Sequence, residues 1–170
     1  MSAFTLVRHT PIWVWVLFLF LIKRGISALS DRQMSLRRLF LLPLLFLVWG
    51  IWSLRQEFHL SAASISGLAA GLLIGTAAGW MLWRNQPRLQ NAADKHQIIR
   101  PGTPLTLILI VIAFSVKYGL TAWLFMHPQL HQSATYSLQF GFITGVLDGL
   151  FWGGTLNLFL AWRREAVTRR

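Results

Sequence analysis

Two residues that could do chemistry, Lys117 and Asp148, each stand as the lone charge inside a long apolar stretch. A charge within a lipid bilayer is costly unless it is paired, and such charges often mark transport paths. Counted along two antiparallel helices, the two residues lie ~14 Å and ~16 Å from the outer surface, which is nearly the same depth. We therefore predict a salt bridge between them. Its role is open between an ion- or proton-responsive site and a structural pair, and the structural role is favoured.

Three threonines accompany this pair. Thr144 and Thr155 share the Asp148 side of their helix, and Thr121 shares the Lys117 side of its own. Because residues at these spacings lie on one helix face, we predict a partly polar seam between the two helices.

Four histidines, His9, His59, His127 and His131, fall on the predicted outer face. Neutral imidazole is a common metal ligand and titrates near physiological pH. His127 and His131 have i, i+4 spacing, but Pro128 between them disfavours a continuous helix. Because no carboxylate cluster supports them, they are only weak candidates for a metal site, and no cofactor is predicted. Metal or haem binding stays an alternative.

Other catalytic chemistry has little support. The chain has no cysteine, which removes disulfides, thiolate metal sites and cysteine nucleophiles. No nucleotide-binding glycine loop, serine–histidine–acid set or paired-carboxylate site can be identified. The sequence therefore favours a protein that is not an enzyme.

The elements that must position these residues are five long apolar runs. Of the 170 residues, 55% are apolar and 12% are charged, against about 25% charged in a soluble domain. A bilayer core needs ~20 apolar residues of helix. We predict an all-α polytopic membrane protein, a single membrane domain over 1–170 with a bundle of five transmembrane helices. The spans are predicted at about 11–29, 36–54, 61–83, 104–126 and 137–162.

Two details qualify the first two spans. Lys23 and Arg24 follow the first apolar run, which favours a retained span over a cleaved signal peptide. Pro43 lies inside the second span and should kink it.

Basic residues give the orientation. With five spans, Arg8 and Arg55 lie on one face, and thirteen basic residues lie on the other. This asymmetry predicts an outside N-terminus and a cytoplasmic C-terminus. It also argues against nucleic-acid binding as the reason for the net charge of +11. Arg37 and Arg38 at the inner face are predicted to contact anionic lipid headgroups.

Glycines recur at every fourth position in the third and fifth spans. Small residues at this spacing let transmembrane helices approach closely. The two ladders are Gly67, Gly71, Gly75 and Gly79, and Gly141, Gly145, Gly149 and Gly153. A shift of 74 residues superposes them, so 36–83 and 104–162 are a possible hairpin repeat. We predict that spans three and five pack as a parallel pair.

A set of short motifs along the chain resembles a bacterial family of small multi-pass inner-membrane proteins known only as a domain of unknown function. The motifs are Thr10-Pro11-Ile12-Trp13-Val14-Trp15, Ser35-Leu36-Arg37-Arg38-Leu39 with Pro43, Arg100-Pro101-Gly102, Lys117-Tyr118 and His127-Pro128. That family is distantly similar to CcdC-type membrane proteins. The resemblance implies a protein of the bacterial plasma membrane and assigns no catalytic or ligand residue.

Together these features predict a non-enzymatic accessory or scaffold protein of the bacterial inner membrane, acting through glycine-mediated helix packing. A homo-oligomer or a membrane-protein partner is expected, together with anionic lipids at the cytoplasmic face. Two alternatives stay open. One is a small ion- or proton-coupled transporter that uses the Lys117–Asp148 pair, and the other is a metal- or haem-handling factor.

Overall fold

The computed structural model describes residues 12–91 and 97–168, so His9 lies outside the described residues. Helices make up 81% of it, which confirms the mostly helical prediction. The long helices are α1 (Ile12–Ile26), α3 (Leu41–Phe58), α4 (Ala62–Trp83), α5 (Pro104–Met126) and α6 (Ala134–Thr168), and the short helix α2 is Leu36–Leu39. Three strands, β1 (Arg32–Ser35), β2 (Gln90–Asn91) and β3 (Gln97–Arg100), and a 3₁₀ turn at Pro128–Gln132 complete the described part of the chain.

Helices α4 and α6 form the most extensive contact of the fold and run parallel. All eight ladder glycines are buried between them. A Cβ added to Gly67 would meet the carbonyl oxygen of Leu138, and one added to Gly79 would meet that of Leu150. The reverse holds for Gly141, which faces the carbonyl oxygen of Ser64. Each glycine therefore lies against backbone, and a side chain would have no room without separating the helices.

The remaining helices surround this pair. Helix α3 packs against α6, and α1 packs against α5, whereas α5 and α6 make few close backbone contacts. The core between them is apolar and includes Phe46, whose ring stacks on Phe151 with centroids 4.6 Å apart. Leu21 and Ile110 are also fully buried. Helix α3 thus approaches the backbone of α6 more closely than α5 does.

A small antiparallel sheet, which was not predicted, joins two distant connections. Strand β3 lies between β1 and β2, and Arg32 pairs with Arg100. The backbone N–H of Gly102 donates to Asp31 Oδ1 over 2.7 Å, and that of Thr103 donates to the carbonyl oxygen of Ala28 over 2.7 Å. The connection after α1 and the connection after α4 therefore lie at the same end of the molecule.

The second predicted span begins differently from the prediction for 36–54. The chain is helical from Leu36 to Leu39, turns at Phe40, and starts α3 at Leu41. Pro43 therefore lies in the first turn of α3, where its missing N–H has no partner within that helix. The helical run from Leu36 is interrupted at Phe40, three residues before the proline, rather than kinked in the middle of a span. Helix α3 also continues to Phe58, four residues beyond the predicted end.

Within the described residues, three helices are long and apolar enough to cross a membrane: Ala62–Trp83, Pro104–Met126 and the part of α6 from Ala134 to Arg164. Helix α5 has the predicted bounds. It begins after Thr103, whose hydroxyl accepts from the N–H of Leu105 over 3.3 Å, and has proline in its first turn. Helix α6, at 35 residues, is longer than the ~20 that a bilayer core needs.

Candidate functional site at a buried ion pair

Lys117 of α5 and Asp148 of α6 lie together in the centre of the helix assembly. The Lys117 Nζ atom is 2.8 Å from Asp148 Oδ1. The lysine side chain is 6% exposed and the aspartate side chain is 0% exposed. Opposite charges at this distance, taken away from water, attract far more strongly than at a surface. The two predicted residues are thus in contact and shielded from the surroundings.

Helix α3 provides the rest of the enclosure around Lys117. The ammonium group donates a long hydrogen bond, 3.5 Å, to the carbonyl oxygen of Phe46. It also lies 5.9 Å from the ring centroid of Phe46 and 5.5 Å from that of Trp49. Cations within about 6 Å of an aromatic ring centroid are attracted by the ring. The lysine charge is therefore compensated from α3 as well as from Asp148.

Gly50 is the residue that lets α3 approach the pair. A Cβ at this position would strike Asp148 Oδ2 and would lie 2.9 Å from Thr144 Cγ2 and 3.1 Å from Lys117 Nζ. The sequence analysis did not identify Gly50, Phe46 or Trp49 as site residues. The only signal for Gly50 was a lone glycine in the middle of an apolar run.

The second carboxylate oxygen of Asp148 is less well compensated. Oδ2 is buried and has no hydrogen-bond partner within the described part of the chain. Together with Thr144 Cγ2 and Lys117 Nζ, this oxygen borders the space that a Cβ on Gly50 would occupy. Buried polar groups usually have a partner, so an orphaned acceptor calls for a reason. This oxygen is therefore the atom of the pair that could still accept a hydrogen bond or a proton.

The three seam threonines differ in position. Thr144 is 1% exposed, lies one turn from Asp148, and contributes to the wall that faces Gly50. Thr155 is also buried, two turns from Asp148, and Thr121 is half-buried, one turn from Lys117. Thr144 is thus the threonine that the structure brings to the ion pair.

The described histidines that were predicted on the outer face are separate from the ion pair, and two of them contact other residues. His127 ends α5, stacks on Trp123 with ring centroids 4.3 Å apart, and has Nδ1 3.1 Å from the Trp123 carbonyl oxygen. His131 has Nε2 3.1 Å from Glu57 Oε2 and Nδ1 2.9 Å from the Pro128 carbonyl oxygen. His59 is exposed at the turn between α3 and α4. Residues 12–91 and 97–168 contain no group of three or more histidines and acids placed to hold a metal ion.

Arg37 and Arg38 are exposed on α2, next to the sheet. Helix α2 directly follows β1, so both arginines lie at the end of the fold that carries the sheet. This position agrees with contact to a surface rather than with a role in the buried seam.

Comparisons with known proteins give the chain's relatives. The model of a family of unknown function (DUF6622) matches residues 1–167. The chain is also similar to an uncharacterized protein of Pasteurella multocida (strain Pm70), with 40% identity over 74 residues, which covers 42% of this chain and 58% of the relative. The matched stretch is thus less than two thirds of the relative's length. No solved structure matches the chain.

Proposed function

The chain belongs to the family of unknown function DUF6622, and we propose that it is a five-span protein of a bacterial inner membrane that acts as a non-enzymatic accessory or scaffold. The observation that carries the proposal is the closed ion pair: Asp148 is 0% exposed and Lys117 is 6% exposed. A transport path needs water or substrate to reach its charged groups. A dry pair instead fixes which helices meet.

Five spans follow if α1 and α3 cross the bilayer together with the three longer apolar helices. At 18 residues, α3 is ~27 Å long, close to the ~30 Å of a hydrocarbon core. The sheet supports an even number of crossings between β1 and β3, because both strands lie at one end of the fold. Helices α3 and α4 provide those two crossings. The arginines at this end favour its placement on the cytoplasmic side.

Topology can be tested directly because the chain has no cysteine of its own. Single cysteines would replace the exposed residues Ser30, Gln56, Asn85 and Gln129. In intact cells a membrane-impermeant maleimide should label positions 56 and 129, and it should label positions 30 and 85 only after the inner membrane is permeabilised. Labelling of position 85 from outside would contradict the proposed orientation.

The scaffold role also rests on where the glycines lie. Both ladders are used inside the chain, between α4 and α6. Contact with a second copy or with another membrane protein must therefore use other surfaces. The opposite face of α4 is a candidate, because Leu73 is 75% exposed and Met81 is 73% exposed. Contiguous apolar surface of this kind is covered by lipid or by a partner helix.

Cross-linking from that face tests the scaffold. Cysteines at Leu73 and Met81 should give discrete cross-linked protein products in native membranes when treated with a short bis-maleimide. A cysteine at Ile110, which is 0% exposed, is the matched control and should give none. Only monomer at both exposed positions would contradict a scaffold that works through this face.

A small ion- or proton-coupled transporter is the second candidate, and the orphaned Oδ2 of Asp148 is the observation that favours it. Purified protein in liposomes with an internal pH-sensitive dye would decide between the two. The scaffold predicts that a proton gradient decays at the rate of protein-free liposomes. Decay that is faster than this and is abolished by Asp148→Asn would replace the scaffold with the transporter.

A further inference from the structure

A second site lies away from the ion pair, where the C-terminal end of α4 meets α6. A cavity of about 590 Å³ opens there. This volume is within the range of small-molecule sites, roughly 300 to 1,000 Å³. Its walls come from the last turn of α4, the connection that follows it, and the part of α6 around Asn157 and Arg164. None of these residues belongs to the Lys117–Asp148 seam.

The rim of the cavity is strongly cationic. Arg84, Arg88 and Arg164 line it, and none of the described residues that form its wall is acidic. All three arginines are exposed at this end of the molecule. Arginine binds phosphate oxygens through paired N–H donors, and three guanidinium groups around one concavity favour an anion.

The inner wall of the cavity is apolar and aromatic. Trp80, Trp83 and Leu160 contribute to it. The ring of Trp83 lies against Gly154, where an added Cβ would be 2.5 Å from the ring. Tryptophan rings at the end of a membrane helix are typical of the headgroup level of a bilayer. The cavity therefore combines a cationic mouth with an apolar interior, as an amphiphile would require.

Two polar groups refine this picture. The Asn157 side-chain amide donates to the Trp80 carbonyl oxygen over 3.2 Å, so this wall has one of its backbone acceptors satisfied. The indole N–H of Trp83, a residue that is 3% exposed, has no hydrogen-bond partner within the described chain. Orphaned buried donors call for an explanation, and the close packing of this ring against Gly154 accounts for its burial.

We propose that this cavity binds the phosphate headgroup of an anionic phospholipid, with Arg84, Arg88 and Arg164 at the phosphate and Trp80 and Leu160 along the glycerol and acyl part. The site is separate from the surface contact of Arg37 and Arg38. It relies on the membrane placement proposed above, but its test does not depend on orientation or on a scaffold role.

Native mass spectrometry of the full chain in detergent, with added phosphatidylglycerol, measures the binding. The wild type should retain a phosphatidylglycerol adduct and bind phosphatidylcholine much more weakly. Arg84→Gln with Arg164→Gln should reduce the apparent affinity about tenfold or more, because each removes a charge-assisted contact. Lys23→Gln with Arg55→Gln is the control with the same change in charge at exposed residues that line no part of the cavity, and it should leave the adduct unchanged.

Further measurements distinguish a lipid ligand from a soluble phosphate and verify that the variants fold. Arg84→Lys should retain part of the affinity, and all variants should elute from size exclusion at the wild-type volume. Equal binding of the two lipids, or equal loss in the Lys23/Arg55 variant, would overturn the proposal. Inorganic phosphate alone is the last test. If it raises the thermal midpoint as much as the lipid does, and Arg84→Gln abolishes that increase, the ligand is a soluble phosphate and the lipid assignment is overturned.

Discussion

The chain brings helices together in two different ways, and α6 takes part in both. Against α4 it presents four glycines, and the contact is backbone to backbone. Against α3 and α5 it presents Asp148, and the contact runs through a charged side chain to Lys117. At the glycine positions the first contact needs no polar side chain, and Asn157 adds one hydrogen bond to the Trp80 carbonyl oxygen near the end of α4. The second needs a polar pair, an aromatic enclosure and one glycine, Gly50, on the neighbouring helix.

The two contacts differ in whether the atoms next to the glycines can move. At the α4–α6 contact every ladder glycine faces a carbonyl oxygen that belongs to a helix backbone. At Gly50 the nearest atoms are the ends of side chains. Within a bilayer apolar helices gain little from burying more apolar surface, so close packing and polar contacts hold them together. The glycine contact is therefore the rigid part of the fold, and the ion-pair contact is the adjustable part.

The largest effect is expected from filling the rigid contact. In Gly149→Leu the new side chain would enter a space where the Leu72 carbonyl oxygen is already 2.6 Å from an ideal Cβ. Because the obstacle is backbone, α4 and α6 must separate, and we expect loss of monodisperse protein in detergent. Gly119→Leu is the matched control, since a Cβ on Gly119 meets nothing within 4 Å. Equal tolerance of both variants would show that the ladder does not hold the helices together.

The next largest effect should come from breaking the ion pair on one side. Lys117→Met leaves the Asp148 carboxylate buried without its cation, which costs about 3–5 kcal/mol of stability in comparable buried pairs. The double variant Lys117→Met with Asp148→Asn removes both charges and should recover much of that loss. Thermal midpoints in one detergent would measure this. A double variant as unstable as the sum of the two single variants would mean that the residues do not act as a pair.

Part of this comparison could be predicted from the sequence, because the signals are local. The glycine spacing indicated the parallel contact of α4 with α6, and the bounds of α5 follow from Thr103-Pro104 at its start and His127-Pro128 at its end. Counting residues from the outer ends of the two predicted spans placed Lys117 at the same depth as Asp148. These inferences need only helix geometry and capping chemistry.

The parts that were missed depend on contacts between distant segments. Strands β1 and β3 are short, lie far apart in sequence, and show no alternation strong enough to predict their pairing. Gly50 has no glycine at i±4, so nothing in its own helix indicated that α3 would pass over the ion pair. The start of α3 was misplaced because the apolar pattern continues through Phe40, where the chain turns.

A smaller effect should separate the two kinds of glycine. Gly50→Ala places a methyl group against the Asp148 carboxylate and the Thr144 methyl, which can shift, and overpacking of this kind costs about 1–3 kcal/mol. Gly75→Ala places the same methyl group against the Val146 backbone and should cost more. Denaturation midpoints of the two variants, measured side by side, test the distinction. A larger loss in Gly50→Ala would reverse the assignment of rigid and adjustable contacts.

The smallest effect concerns how far α3 helps to hold the lysine. The ring centroid of Trp49 lies 5.5 Å from Lys117 Nζ, and a cation–aromatic contact stabilises by about 0.5–2 kcal/mol. Trp49→Leu should therefore cost more in the wild type than in the background in which Lys117→Met and Asp148→Asn remove both charges. The difference between the two costs isolates the contact from the packing that the indole loses in either background. Equal costs would show that Trp49 only fills space, and that Asp148 and Phe46 compensate the buried charge without it.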